Sequence, residues 1–182
     1  MSPNESLAGR PAVFLDRDGT LMPDVEYCRD PAQVKVFPGA RKALQKMHEA
    51  EFLLVVITNQ SGIGRGYFSE TEYRAVAAEL ERQLGDALIA ATYFCPDRPE
   101  QPTARRKPGV GMILEAQRDL GIDLARSFMI GDKAIDVECG RNAGLRTILV
   151  QTGQSKAGDA TGADWSTRDL TEAAEIVIRH AR

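Results

Sequence analysis

The sequence predicts an α/β protein, with a Rossmann-like, doubly wound, mostly parallel sheet of five strands and helices on both faces. Three observations carry that expectation. Short apolar runs alternate with segments of helical period along the chain. The run at 52–57, FLLVVI, is apolar at every position, as in a central parallel strand covered above and below. Finally, the residues with the most chemistry fall directly after apolar runs, beyond the carboxyl ends of strands, where sheets of this class bind ligands.

The first strand is read at 12–15, AVFL, and it runs into Asp16, Arg17, Asp18, Gly19 and Thr20. Side chains two apart in an extended chain point the same way, so Asp16 and Asp18 face one pocket if the extended geometry persists just past the strand end. Two carboxylates that close repel, and they either recruit a divalent cation or hold one proton between them. The stretch 21–37, interrupted by Pro23 and Pro31, has no sustained period and reads as a loop leaving this strand and folding over it.

Pro38 and Gly39 open a helix whose buried stripe is Ala40, Ala43, Leu44 and Met47. The strand at 52–57 then enters a polar turn, 58–62. Gly62, Gly64 and Gly66 leave room there for close backbone approach or simply for a mobile loop. Ser69 with Glu72 forms a capping box for a helix buried through Tyr73, Val76, Ala77, Leu80 and Leu84. A third strand is expected at 91–94, followed by a proline-containing loop that ends in Arg106-Lys107-Pro108-Gly109. The next helix packs through Met112, Ile113, Ala116 and Leu120. A strand at 127–130 delivers Gly131-Asp132-Lys133, with Asp136 one helical turn on. The fifth strand is 146–150. A Gly-, Ser- and Asp-rich connection, 151–166, leads to a last helix using Leu170, Ala173, Ala174 and Val177.

Bulk composition removes several function classes. A chain of 182 residues is read as one domain spanning 1–182. A net charge of −3, with no basic cluster interleaved with aromatics, argues against a nucleic-acid partner. The longest apolar run is too short to span a bilayer, and the amino end has no apolar signal core, so a cytoplasmic protein with no membrane partner is expected. Three scattered cysteines, Cys28, Cys95 and Cys139, read as reduced thiols.

Carboxylates at 16, 18 and 132, a hydroxyl at 58 and cations at 106, 107 and 133 all fall at strand or helix boundaries. That inventory suits phosphoryl transfer, which needs a hard cation, a positioned nucleophile and donors that hold the phosphoryl group in line. Asp16 and Asp132 offer oxygen ligands suited to Mg²⁺, and an ionised Asp can itself attack phosphorus.

The blocks DRDGT, TNQSGIGRG, RKP and GDKxxD resemble the four signature motifs of the haloacid dehalogenase superfamily of phosphatases, through nearly the whole chain. The resemblance is nearest to the D-glycero-D-manno-heptose 1,7-bisphosphate branch. It implies that Asp16 is the nucleophile, and that Asp18 is the acid and base, with its backbone carbonyl on Mg²⁺. It further implies that Thr58 and Lys107 hold the phosphoryl group and Asp132 completes the metal shell. Arg106 and Lys133 would meet the substrate, as would Asp24, Val25, Glu26 and Tyr27 and the turn residues Asn59, Gln60 and Ser61. Asp136 would orient its neighbours. The substrate implied is a small sugar phosphate, acted on by a monomer without a large cap domain, because neither inter-motif gap has room for one.

One departure stands out. Many members hold zinc with a C-x-H and C-x-C pair before RKP, where this chain has Cys95-Pro96-Asp97 and Thr103-Ala104-Arg105; no zinc is expected. Two other readings share the motif residues. Histidinol-phosphate phosphatases, or enzymes for another small monoester, keep the chemistry, although the former typically follow TNQ with an acid where this chain has Ser61. A phospho-accepting signalling domain also gathers acids, Thr and Lys on a parallel sheet. Asp18, available to catalyse hydrolysis, speaks for the enzyme.

Overall fold

The computed structural model describes residues 9–85, 87–154 and 162–181; the polar amino end at 1–8 and positions 155–161 of the Gly-rich connection lie outside the described residues. In chain order the elements are β1 (Ala12–Leu15), α1 (Ala40–Glu49), β2 (Leu53–Asn59), a one-turn α2 (Ser61–Gly64), α3 (Glu70–Leu84) and β3 (Ile89–Cys95). They continue with α4 (Gly111–Leu120), β4 (Phe128–Gly131), α5 (Ala134–Asn142), β5 (Arg146–Val150), β6 (Trp165–Thr167) and α6 (Leu170–Arg179).

The strands make one sheet in the order β3-β2-β1-β4-β5-β6, and each neighbouring pair is parallel. β1 is central, with Phe14 level with Val55 of β2 on one side and Met129 of β4 on the other. The chain winds outward from β1 to β3 and then returns to β4 on the opposite side of β1. The direction of winding therefore reverses beside the carboxyl end of β1, the place where open α/β sheets bind ligands. Asp16 follows β1 there, and Asp132 follows β4.

Strand alternation sorts the core into two layers. Val13 and Leu15 face a cluster closed by Ala43, Leu44 and Met47 of α1, Val76 and Leu80 of α3, and Ala173 and Val177 of α6. Ala12 and Phe14 face the other cluster, closed by Met112, Ile113 and Ala116 of α4 and Cys139 of α5. Burial on both sides explains why β1 and β2 read as continuous apolar runs. Each fully buried side chain of this size contributes about 1.5–3 kcal/mol.

The sheet has six strands where five are expected. The extra one, β6, is a three-residue edge strand beside β5, inside a connection whose composition reads as loop. A strand that short carries too few residues to show a period. β2 extends through Thr58 and Asn59, which were read as the start of a turn, because both pair with β3. The Ser69–Glu72 capping box forms in both directions. The irregular 21–37 segment is anchored by Leu21, Met22, Cys28 and Val34 in the core and by the Phe37 amide donating to the Leu21 carbonyl. That anchoring holds residues 24–27 at the rim of the sheet. Among the described residues no large cap domain interrupts the connections.

Candidate active site

The carboxyl ends of β1, β2 and β4 bring the acidic motifs together. Asp16 is buried, and its Oδ1 lies 2.8 Å from Lys107 Nζ. The same Nζ lies 2.6 Å from Asp136 Oδ1 and donates to the Ile57 carbonyl at 3.2 Å, so all three of its hydrogens have acceptors. Burial works against the Lys107 charge, but Asp136 and Asp16 outweigh it and its pKa rises. Two carboxylates thus share one ammonium that stays charged. The Lys107 backbone is fixed as well. Asn59 Oδ1 accepts from its N–H at 3.0 Å and Asn59 Nδ2 donates to its carbonyl at 3.1 Å, clasping the RKP loop to the end of β2.

Asp132 completes the acidic group: ligand atoms of Asp16, Asp132 and Asp136 lie within 4.8 Å of one another. Its Oδ2 accepts from the Gln154 N–H at 2.9 Å, while its buried Oδ1 has no partner. Burial, with the nearby Asp16 charge, pushes the Asp132 carboxyl up to about 6. A solvent-excluded carboxylate oxygen left without a donor beside a second carboxylate is the arrangement a divalent cation satisfies. These residues fit Mg²⁺. Asp136 is burdened differently. Its Oδ1 meets Lys107 and its Oδ2 accepts from the Lys133 N–H at 3.1 Å at the start of α5. Burial raises its pKa against the pull of Lys107. Both oxygens are engaged in holding neighbours.

The Asp18 carboxylate is held by Arg17 and Gln60 and is not one of the three carboxylates of that cluster, although, with burial, the Asp16 charge still reaches it and helps raise its pKa. The chain leaves extended geometry after β1, and Arg17 folds back beside Asp18. Arg17 is 2% exposed and pairs with Asp18 Oδ2 at 2.8 Å, while its Nε contacts both carboxylate oxygens at 3.1 Å. Gln60 joins them, accepting from Arg17 Nη2 at 3.2 Å and donating through Nε2 to Asp18 Oδ2 at 3.0 Å and to Thr58 Oγ1 at 2.8 Å. Burial raises the Asp18 pKa and Arg17 opposes it. The chain Thr58–Gln60–Asp18–Arg17 links the Thr58 hydroxyl near the carboxyl end of β2 to the acid two residues past Asp16.

A cleft of about 230 Å³ opens beside this set, lined by Arg17, Asp18, Asn59, Gln60 and Ser61, by Asp24, Val25, Glu26 and Tyr27, and by Arg106 and Lys133. Every substrate-facing residue expected from the motifs is on its wall. Lys133 Nζ pairs with Asp24 Oδ2 at 3.0 Å, and Arg106 Nη1 donates to the Asp97 carbonyl at 2.9 Å. Tyr27 adopts φ 54°, which turns its ring over Gly62 and edge-on to Tyr67.

Two parts of the site escaped the motif reading. Arg17 had a signal, a cation placed between two acids at the end of a buried strand. Residues 152–154 had one too, since they follow β5 at the same rim, but their Gly-rich composition reads as linker.

A cleft at the switch point of a parallel sheet, with a lysine-paired aspartate beside it and cations on its wall, defines a phosphoryl-transfer site of the hydrolase class. The HAD-hydrolase-like family model matches residues 104–173. The D-glycero-D-manno-heptose-1,7-bisphosphate 7-phosphatase of Thermosynechococcus vestitus is 38% identical, over 94% of this chain and 97% of the relative. The corresponding β-anomer 7-phosphatase of Haemophilus ducreyi is 40% identical, over 81% of this chain and 86% of its own length. The crystal structure of D,D-heptose 1,7-bisphosphate phosphatase from B. bronchiseptica, complexed with magnesium and phosphate, matches with TM-score 0.83 and 30% identity, covering 93% of this chain and 98% of the other. The chain belongs to the haloacid-dehalogenase-like hydrolases and, within them, to the heptose-1,7-bisphosphate phosphatase family.

Proposed function

We propose that this protein hydrolyses a sugar bisphosphate, D-glycero-D-manno-heptose 1,7-bisphosphate, at the 7-phosphate through a phosphoryl group carried on Asp16. The observation that carries the reading is the Asp16 carboxylate held against Lys107 and near the unpartnered oxygen of Asp132, beside a cleft lined by Asp18, Arg106 and Lys133. The named activity of relatives matched over nearly their full length supports the substrate.

In this reading Asp16 and Asp132, with the Asp18 carbonyl, hold Mg²⁺, which when bound neutralises phosphoryl oxygens. A carboxylate oxygen of Asp16 attacks phosphorus, the bond from phosphorus to the sugar oxygen breaks, and Asp18 gives that oxygen a proton. Water then attacks the phosphorus of the aspartyl-phosphate, Asp18 takes back a proton, and the Asp16 carboxylate is restored with release of inorganic phosphate. Thr58 and Lys107 grip the phosphoryl oxygens. Arg106, Lys133 and the 24–27 and 59–61 segments meet the rest of the substrate. The Arg17–Gln60 dock keeps Asp18 in reach without letting it compete with Asp16 for Lys107.

The same reading takes residues 1–182 as one catalytic domain, a cytoplasmic monomer with no nucleic-acid or membrane partner and no zinc. Among the described residues no helix is long and apolar enough to cross a membrane. Against zinc, Asp97 Oδ2 already accepts from the Thr103 N–H at 2.8 Å and the Thr103 hydroxyl at 2.5 Å, so the loop before RKP is closed by hydrogen bonds.

The test is to mix Asp18→Asn with substrate, quench in acid and map the phosphorylated peptide by mass spectrometry. The variant should retain substrate binding, turn over about 10²–10⁴-fold more slowly, and carry one phosphoryl group on Asp16. Asp16→Asn should lose activity by at least about a thousand-fold while melting near the wild type, because Asp136 still pairs with Lys107. Activity in Asp16→Asn within a few-fold of wild type would remove the nucleophile assignment.

A further inference from the structure

The grip on Asp132 comes from a segment outside the motif set. Asp132 is fully buried, and its carboxylate lies between two stretches of main chain, at Gly19 and at Gly153. A Cβ on either glycine would overlap Oδ2 and stand 2.5 Å from Cγ, so neither position accepts a side chain while the carboxylate stays where it is. Gly19 also has φ +86°, in the left-handed region that suits glycine. The two stretches are tied together, since the Thr152 hydroxyl donates to the Gly19 carbonyl at 2.7 Å. From the same turn the Gln154 N–H donates to Oδ2 at 2.9 Å, and Gln154 Nε2 reaches Asp24 Oδ2 at 3.3 Å, the oxygen that pairs with Lys133.

We propose that the turn at residues 152–154, after β5, is a positioning element of the metal site: it clamps one oxygen of Asp132 so that the other is the only oxygen left to meet a divalent cation. The inference rests on Asp132 being a ligand of that cation. Its basis is the asymmetry of the carboxylate, with Oδ2 donor-bound and gripped and Oδ1 buried without a partner. A turn that merely covered the end of the sheet would need neither glycine contact with the carboxylate nor the Thr152 link to the loop carrying Asp16 and Asp18. Outer partners of this kind typically change metal affinity by about 10–100-fold when lost.

The experiment measures Mg²⁺ binding to the full-length protein by calorimetry, with a metal-free melt for each variant. Gly153→Ala should weaken Mg²⁺ by about 10–100-fold, and Thr152→Val, which keeps the shape and loses the link to Gly19, should weaken it by up to about 10-fold. Gln154→Ala keeps the backbone donor and should bind Mg²⁺ within about two-fold of wild type, since the ligand's own partner is untouched. If Gly153→Ala does not fold, Thr152→Val decides. Wild-type affinity in Thr152→Val and in any folded Gly153→Ala, alongside lost affinity in Asp132→Asn, overturns the clamp alone. Wild-type affinity in Asp132→Asn overturns the ligand assignment and the clamp with it.

Discussion

Asp132 shows at the level of one side chain what burying an acid beside a second acid costs a fold. Burial and the Asp16 charge push its carboxyl up from 3.8 to about 6. Between those two values the folded chain binds more protons than the unfolded chain, so the contribution of Asp132 to stability falls as pH rises through that window and stays unfavourable above it. The metal-free protein should therefore gain from Asp132→Asn at pH 7.5, where the unfavourable charge is gone, and gain much less near pH 4. The expected increment is on the order of 1–3 kcal/mol. Thermal melts in chelator at both pH values check it, and a variant that melts below wild type at pH 7.5 would show that the charge is already compensated. The same variant should lose the upward shift that Mg²⁺ gives the wild type. Arg106 carries the second argument at this scale. Its planar guanidinium can bind phosphate or sugar oxygens in a way lysine cannot. Arg106→Ala should therefore weaken a bisphosphate by about 1.5–3 kcal/mol and p-nitrophenyl phosphate much less.

At the scale of elements, β1 places Asp16, the proposed nucleophile, and its rigidity comes from burial on both faces. Phe14, fully buried against α4, stands two residues before Asp16. Phe14→Ala should cost about 3–5 kcal/mol, or very roughly 6–20 °C in melting temperature for a chain of this size. A loss under about 1 kcal/mol in a denaturant titration would mean that this face of the sheet is less tightly packed than it stands. β1 was legible in the sequence because burial on both sides leaves an unbroken apolar run, and α1, α3, α4 and α6 because their apolar stripes keep helical period. Asp16, Thr58 and Asp132 were legible because strand ends are where such sheets bind ligands, and Lys107 because it stands in the loop that enters α4. What stayed hidden depended on contacts distant in sequence. The docking of Asp18 on Gln60, the sharing of Lys107 by Asp16 and Asp136, and the fold of 152–154 onto Asp132 join residues 22 to 91 apart in the chain by the ion pairs and hydrogen bonds that make them. β6 was hidden because three edge residues have no period to read.

For the molecule as a whole, the fold leaves the cleft open at one end of the sheet, and substrate choice falls to the loops that rim it. The loop before RKP is closed by Asp97 and Thr103, and it positions Arg106 through the Asp97 carbonyl. The purified protein should contain no stoichiometric zinc, and chelation followed by Mg²⁺ should restore full activity; elemental analysis showing a tightly held zinc on each chain would contradict this. The most direct test of the account is a comparison of kcat/KM for D-glycero-D-manno-heptose 1,7-bisphosphate, histidinol phosphate and p-nitrophenyl phosphate, in wild type and Arg106→Ala. The account predicts that the bisphosphate is the preferred substrate and that Arg106→Ala penalises it far more than the other two. Preference of the wild type for histidinol phosphate, or equal losses on all three esters, would contradict it.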